Sequence, residues 1–224
     1  VLIGITAALG SFVPLVVSTP ELVFQKKGLM VIIAVFTLLL GVALTAVGGK
    51  KRERSQIAAE KTTTQGSFAA GLTICIFSGI FSSMLNYAFA FSGSVAEAAV
   101  KSGASESSAL NAVWMIALAG GFIANGLYTG YLLTRNKTWA NYVLPGTAPF
   151  WLVGLGMAVL WTGGVILYGR GAAGMGQLGS VIGWPLFMAT LILASSVWGF
   201  ITGEWRGAGS QAKQYMIGGL VVLM

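Results

Sequence analysis

LMVIIAVFTLLLGVALTAVGG, residues Leu29–Gly49, contains no charged side chain. As a helix it would rise about 31 Å, close to the roughly 30 Å hydrocarbon thickness of a bilayer. The next residues are KKRERSQIAAEKTTTQG, Lys50–Gly66. An uncharged run of spanning length set against a strongly charged connector is the pattern of a transmembrane helix.

The same alternation extends in both directions. Before it, Val1–Ser18 is apolar and is joined through Thr19–Gly28, which carries Glu21, Lys26 and Lys27. After it come apolar runs at Ser67–Phe91, Ala109–Thr134, Pro149–Tyr168 and Leu178–Thr202. Between them lie the connectors Ser92–Ser108, RNKTWANY (Arg135–Tyr142) and GRGAAGMGQ (Gly169–Gln177). GEWRGAGSQAK (Gly203–Lys213) then leads into a further apolar run that begins near Tyr215. The expectation is six spans and an incomplete seventh, in a fragment truncated at both ends.

Hydrophobic residues make up 56% of the chain and charged residues 8%, against about 25% charged in a soluble domain. The fold class expected is an all-α integral membrane protein, a polytopic helical bundle. Barrel strands would be about ten residues of alternating polarity, whereas these runs are apolar on every face. Backbone groups in lipid must be paired internally, which leaves helices. There is no histidine and one cysteine, Cys75. That excludes a disulfide framework and a Cys/His metal site, and Cys75 reads as a small core residue. The net charge of +7 lies mostly in residues flanking spans, so it reads as membrane orientation rather than nucleic-acid binding. One side carries Lys26, Lys27, Lys101 and Arg170; the other carries the remaining nine Lys and Arg. The second side is expected to be cytoplasmic, which puts Val1 there and sends the last run outward.

The first two runs resemble the last two. GSFVPLVV (Gly10–Val17) and GWPLFMAT (Gly183–Thr190) each place a proline mid-helix, and Glu21 and Glu204 follow them. LLLGVALTAV (Leu38–Val47) and MIGGLVVLM (Met216–Met224) are the glycine-containing helices that come next. An offset of five helices gives the two units opposite orientation, and paired inverted repeats with kinked helices are a secondary-transporter signature. Proline and glycine are also simply common in membrane helices.

Three segments carry a family resemblance. GEWRGAG (Gly203–Gly209) resembles a Glu-Trp-x-x-Ala-Gly element ahead of a final helix. SGIFSSMLNYAFAF (Ser78–Phe91), followed by AEAA (Ala96–Ala99), is similar to a Gly-Ile-Phe-Ser helix with a trailing Glu-Ala-Ala. GGFIANGLYTGYLL (Gly120–Leu133) matches a glycine-rich helix with an internal Asn. All three resemble the L-rhamnose–proton symporter family of the drug/metabolite transporter superfamily, in the right order along the chain.

The resemblance implies helices four to ten of a ten-helix protein built as two inverted five-helix halves. Residues 1–49 would close the first repeat, 50–66 would be a cytoplasmic connector holding the seam, and 67–224 would be the second repeat. It implies a multi-pass protein of the bacterial inner membrane that imports a small neutral sugar, L-rhamnose above all, by proton symport with alternating access. The proton would be the coupling ion and no cofactor would be needed. The superfamily also implies cytoplasmic termini, in conflict with the charge count. The family's trailing element reads His-Glu-Ala-Ala and Ala96 stands at the His position, so another sugar or metabolite stays open, as does a non-transporting membrane sensor. An integral membrane enzyme such as a lipid phosphatase would need clustered Arg, His, Ser or Asp at one face. The chain has no His, no Asp and only scattered Arg.

No Asp, Glu, Lys, Arg or His lies at mid-span, where charge costs several kcal/mol. The proton-coupling candidates are therefore Glu97 and Glu204, near span ends, or groups in helices the fragment lacks; both acids also read as capping or ion-pairing residues. The substrate-binding candidates are Asn86, Tyr87, Asn111, Trp114, Asn125 and Tyr128. Fixed amides and hydroxyls pair with sugar hydroxyls, and aromatic faces cover the apolar face of the ring. Taken singly, each also reads as packing glue between helices. The partners expected are a small sugar and the lipid bilayer, with no nucleic acid; nothing in the sequence indicates an oligomeric state.

Overall fold

The computed structural model describes residues 2–60 and 68–224. The described chain is helical and divides into two compact units, Val1–Phe91 with Met175–Met224, and Ser92–Gly174.

The first unit contains α1 (Leu2–Ser18), α2 (Lys26–Glu60), α3 (Phe68–Ser82), α4 (Met84–Ala90), α9 (Gly179–Ile201) and α10 (Ser210–Leu223). The second contains α5 (Gly93–Lys101), α6 (Glu106–Ala109), α7 (Asn111–Asn136) and α8 (Ala148–Gly174). Among the described residues, five helical stretches are long and apolar enough to cross a membrane: Lys26–Ser55, Ala69–Ala90, Asn111–Asn136, Ala148–Gly174 and Gly179–Ile201. The protein is therefore a multi-pass helical membrane bundle.

Several sequence expectations change in detail. The first run forms α1, an apolar helix of 17 described residues at the short end of spanning length, which stands beside the five longer stretches. α2 does not stop at Gly49 but continues to Glu60. The rest of the charged connector, and with it part of the expected seam, lies outside the described residues. The third span is broken at Ser83 into α3 and α4. The connector Ser92–Ser108 is largely helical, as α5 and the start of α6. Lys, Arg, Glu and Ala are good helix formers, so a helix runs through charge that ends a membrane span.

In the first unit, α1 packs against α2, α3 and α9, and α2 packs against α10. The α2–α10 seam brings backbone close to backbone. A Cβ added at Gly219 would lie 2.8 Å from both the Gly41 carbonyl oxygen and the Thr45 nitrogen. One at Gly48 would lie 2.8 Å from the Met216 nitrogen. Small residues at such positions let two membrane helices approach without lipid between them. Leu15, Val31 and Val181 form a buried apolar cluster joining α1, α2 and α9.

In the second unit, α7 and α8 meet where Trp114 and Tyr168 pack edge to face, with ring centroids 5.7 Å apart. Beyond that contact the long helices present large apolar side chains outward, including Phe122 on α7 and Leu160 on α8. Such bare apolar surface is expected of helices whose solvent is lipid. α7 ends in a left-handed residue, Lys137 (φ 56°), and a 3₁₀ turn at Trp139–Val143 leads toward α8.

Candidate functional site

A buried polar cluster lies where α1, α3, α4 and α9 meet. Its origin is a proline. Pro14 sits inside α1 and has no N–H, so the carbonyl of Gly10, four residues earlier, loses its helical donor. Asn86 on α4 supplies a substitute: its Nδ2 donates to Gly10 O at 2.6 Å and to Ser180 O of α9 at 3.1 Å. Asn86 is fully buried. Next to it, Tyr87 donates its hydroxyl to Leu9 O at 3.1 Å.

Three more side chains complete the cluster. Thr6 Oγ1 donates to Gly79 O of α3 at 3.1 Å. Ser83 Oγ donates to the same carbonyl at 3.0 Å and approaches Thr6 O at 3.3 Å. Trp184 of α9 donates its indole N–H to Thr6 O at 3.1 Å. Ser83 also marks the break between α3 and α4, which these bonds help to satisfy. Sequence reading singled out Asn86 and Tyr87 but missed Thr6 and Ser83; the signal that pointed here was Pro14, whose orphaned carbonyl demands a donor from elsewhere.

The remaining sugar candidates lie in the second unit, all on α7. Asn111 is partly buried and Trp114 is buried. Asn125 and Tyr128 are exposed, and Asn125 Nδ2 donates to Gly121 O of its own helix at 2.9 Å. Asn111 and Asn125 are fourteen positions apart, roughly 21 Å along the axis, farther than one monosaccharide can bridge. The structure thus groups Asn86 with Tyr87, Asn111 with Trp114, and Asn125 with Tyr128.

Both candidate acids are exposed. Glu97 lies on α5, one turn before Lys101. Glu204 lies in the turn between α9 and α10, where its Oε2 accepts from Arg52 Nη1 at 3.5 Å. The Arg52 guanidinium also stands over the Trp205 ring, 5.0 Å from its centroid. Beside it, Lys51 Nζ donates to Gln211 Oε1 at 2.9 Å and lies 5.0 Å from the Tyr215 ring centroid. The extension of α2 therefore grips the GEWRGAG turn. Gly203 (φ 81°) and Gly207 (φ 78°) shape that turn with left-handed backbone, and Trp205 is buried in it against Phe200, Ala208, Ala212 and Met216. Glu204 pairs with Arg52 rather than with its neighbour Arg206. An exposed pair of this kind contributes about 1 kcal/mol at most. Glu204→Gln is thus expected to leave thermal stability almost unchanged, so a large loss of proton-driven uptake in that variant would mark a coupling role.

Two of the cavities among the described residues are large. One, of about 740 Å³ in the first unit, is an apolar groove between α2, α9 and the end of α10, with Lys27 as its cation. The other, of about 680 Å³ in the second unit, is lined by Thr138, Asn141, Tyr142, Thr147 and Trp151 among others. Neither is lined by a residue of the candidate set. No cluster of metal-ligating side chains occurs among the described residues.

The model of the L-rhamnose-proton symport protein (RhaT) family matches residues 1–224. The chain belongs to the RhaT family. Its similar relatives include the L-rhamnose-proton symporters of Pectobacterium atrosepticum, 24% identical over 233 residues, and Mannheimia succiniciproducens, 23% identical over 233 residues. The Escherichia coli O17:K52:H18 symporter is 25% identical over 230 residues. In each case the alignment covers 99% of this chain and 66% of the relative, so the chain spans just under two thirds of the length of these RhaT proteins. No solved structure matches it. RhaT is a transporter family, not an enzyme family.

Proposed function

We propose that the protein is a secondary active transporter of the bacterial inner membrane that imports L-rhamnose with a proton by alternating access. The match to the symporter family along the whole chain carries this reading. The bacterial relatives, named as L-rhamnose-proton symporters, support the substrate and the compartment. An inverted-repeat architecture within the drug/metabolite transporter superfamily is part of the proposal. It is supported by the pairing of the two proline-containing helices, α1 with α9, and of the two glycine-containing helices, α2 with α10. On α7, Asn125 and Tyr128 are the proposed sugar-facing pair, with Asn111 and Trp114 as a second group. Glu97 and Glu204 are the proposed proton carriers within this chain.

A second reading, a transporter for another sugar or metabolite, is favoured by one observation: Ala96 stands where the related element carries His. One experiment tests both. The full-length protein in proteoliposomes is expected to accumulate labelled L-rhamnose when an inward proton gradient is imposed, and to lose accumulation on addition of a protonophore. Displacement by a competing sugar at lower concentration would move the substrate to that sugar. No L-rhamnose uptake under any gradient would remove the substrate and coupling together.

A further inference from the structure

We infer that Asn86 is a positioning residue and not a sugar ligand: its side-chain amide replaces the backbone donor that Pro14 removes from α1, and so pins the proline turn of α1 to α9. The geometry is specific. Gly10 O is the carbonyl that a residue at position 14 would normally satisfy, and it accepts from Asn86 Nδ2 at 2.6 Å. The same nitrogen bonds Ser180 O, on the turn of α9 preceding Pro185. One amide group therefore bridges two proline-containing helices from a third. Its burial is complete, and both N–H groups of the amide go to main chain, so neither is left for a sugar hydroxyl. Trp184 reinforces the joint: its indole lies against Gly10 so closely that a Cβ there would overlap it.

A bilayer interior offers no water to a carbonyl left unpaired, so removing Asn86 has a defined chemical remedy. Restoring an N–H at position 14 would satisfy Gly10 from within α1. The test is a four-member cycle in the full-length protein: wild type, Asn86→Leu, Pro14→Ala and the double variant. Thermal unfolding of purified protein and initial L-rhamnose uptake are measured for each.

Asn86→Leu is expected to lower Tm by roughly 5 °C or more and to reduce the maximal uptake rate with KM unchanged. The double variant is expected to regain at least half of the lost Tm, although it lacks Asn86. A sugar ligand would behave otherwise: KM would rise in Asn86→Leu and Pro14→Ala would restore nothing. If Asn86→Leu does not accumulate as folded protein, recovery of folded double variant supports the inference and equal loss of both overturns it. The uptake readout rests on the transporter reading, but the Tm cycle does not. Tm rescue without rhamnose transport would retain the role of Asn86 and discard the substrate.

Discussion

Gly219→Leu should separate α2 from α10 and leave little folded protein at growth temperature. A Cβ at this position would lie 2.6 Å from Thr45 Cγ2 and 2.8 Å from two backbone atoms of α2. A side-chain tip can rotate away from such a contact, but a helix backbone cannot. Overpacking typically costs about 1–3 kcal/mol, and Leu at a backbone-to-backbone seam is expected to exceed that range. Gly218 is the internal control. It is the preceding residue on the same helix, with the same propensity, yet a Cβ there meets nothing within 4 Å. Thermal unfolding in detergent should show Gly218→Leu near wild type and Gly219→Leu far below it. Equal tolerance at both positions would mean that the seam is not close-packed.

Trp205→Ala is expected to cost about 3–5 kcal/mol, as for other large-to-small changes at buried aromatics. Trp205 is 5% exposed, stacks on Phe200 with centroids 5.1 Å apart, and carries the Arg52 guanidinium on its ring. Truncation would empty the turn between α9 and α10 and take away the aromatic surface that holds the end of α2. Trp198, seven residues earlier, is 66% exposed, and Trp198→Ala should stay within about 0.5 kcal/mol of wild type. Urea or thermal unfolding of the two variants side by side measures the contrast; similar losses would show that burial does not distinguish these tryptophans.

The membrane spans were legible in the sequence because hydropathy reports where lipid is. It does not report where a helix ends, since a helix runs through lipid and water alike. That is why Leu29–Gly49 located the span of α2 but not its continuation through KKRERSQIAAE. The break at Ser83 was hidden for the opposite reason, because SSMLNYAF is apolar enough to read as continuous. The candidate site was legible as residue types and not as partnerships. Asn86 stands out in an apolar run, but its partner Gly10 lies 76 positions away, and nothing local links them. Asn111 and Asn125 share a helix and a residue type, but fourteen positions of axial rise, about 21 Å, separate them. Glycine is equally mute: thirty-two occur, and only three-dimensional neighbours tell Gly219 from Gly218.

α2 touches the α9–α10 segment at several heights. Gly41 meets α10 within the span, and Lys51 meets Gln211 and Tyr215 beyond it, about 15 Å further along the helix axis. A single crossing point would leave α2 free to roll about its axis or to slide lengthwise against its neighbour. Contacts separated along the axis resist both. The pair is then a strut that tilts only as a whole, and a charge change at Lys51 or Arg52 alters the leverage on that strut without touching anything inside the membrane.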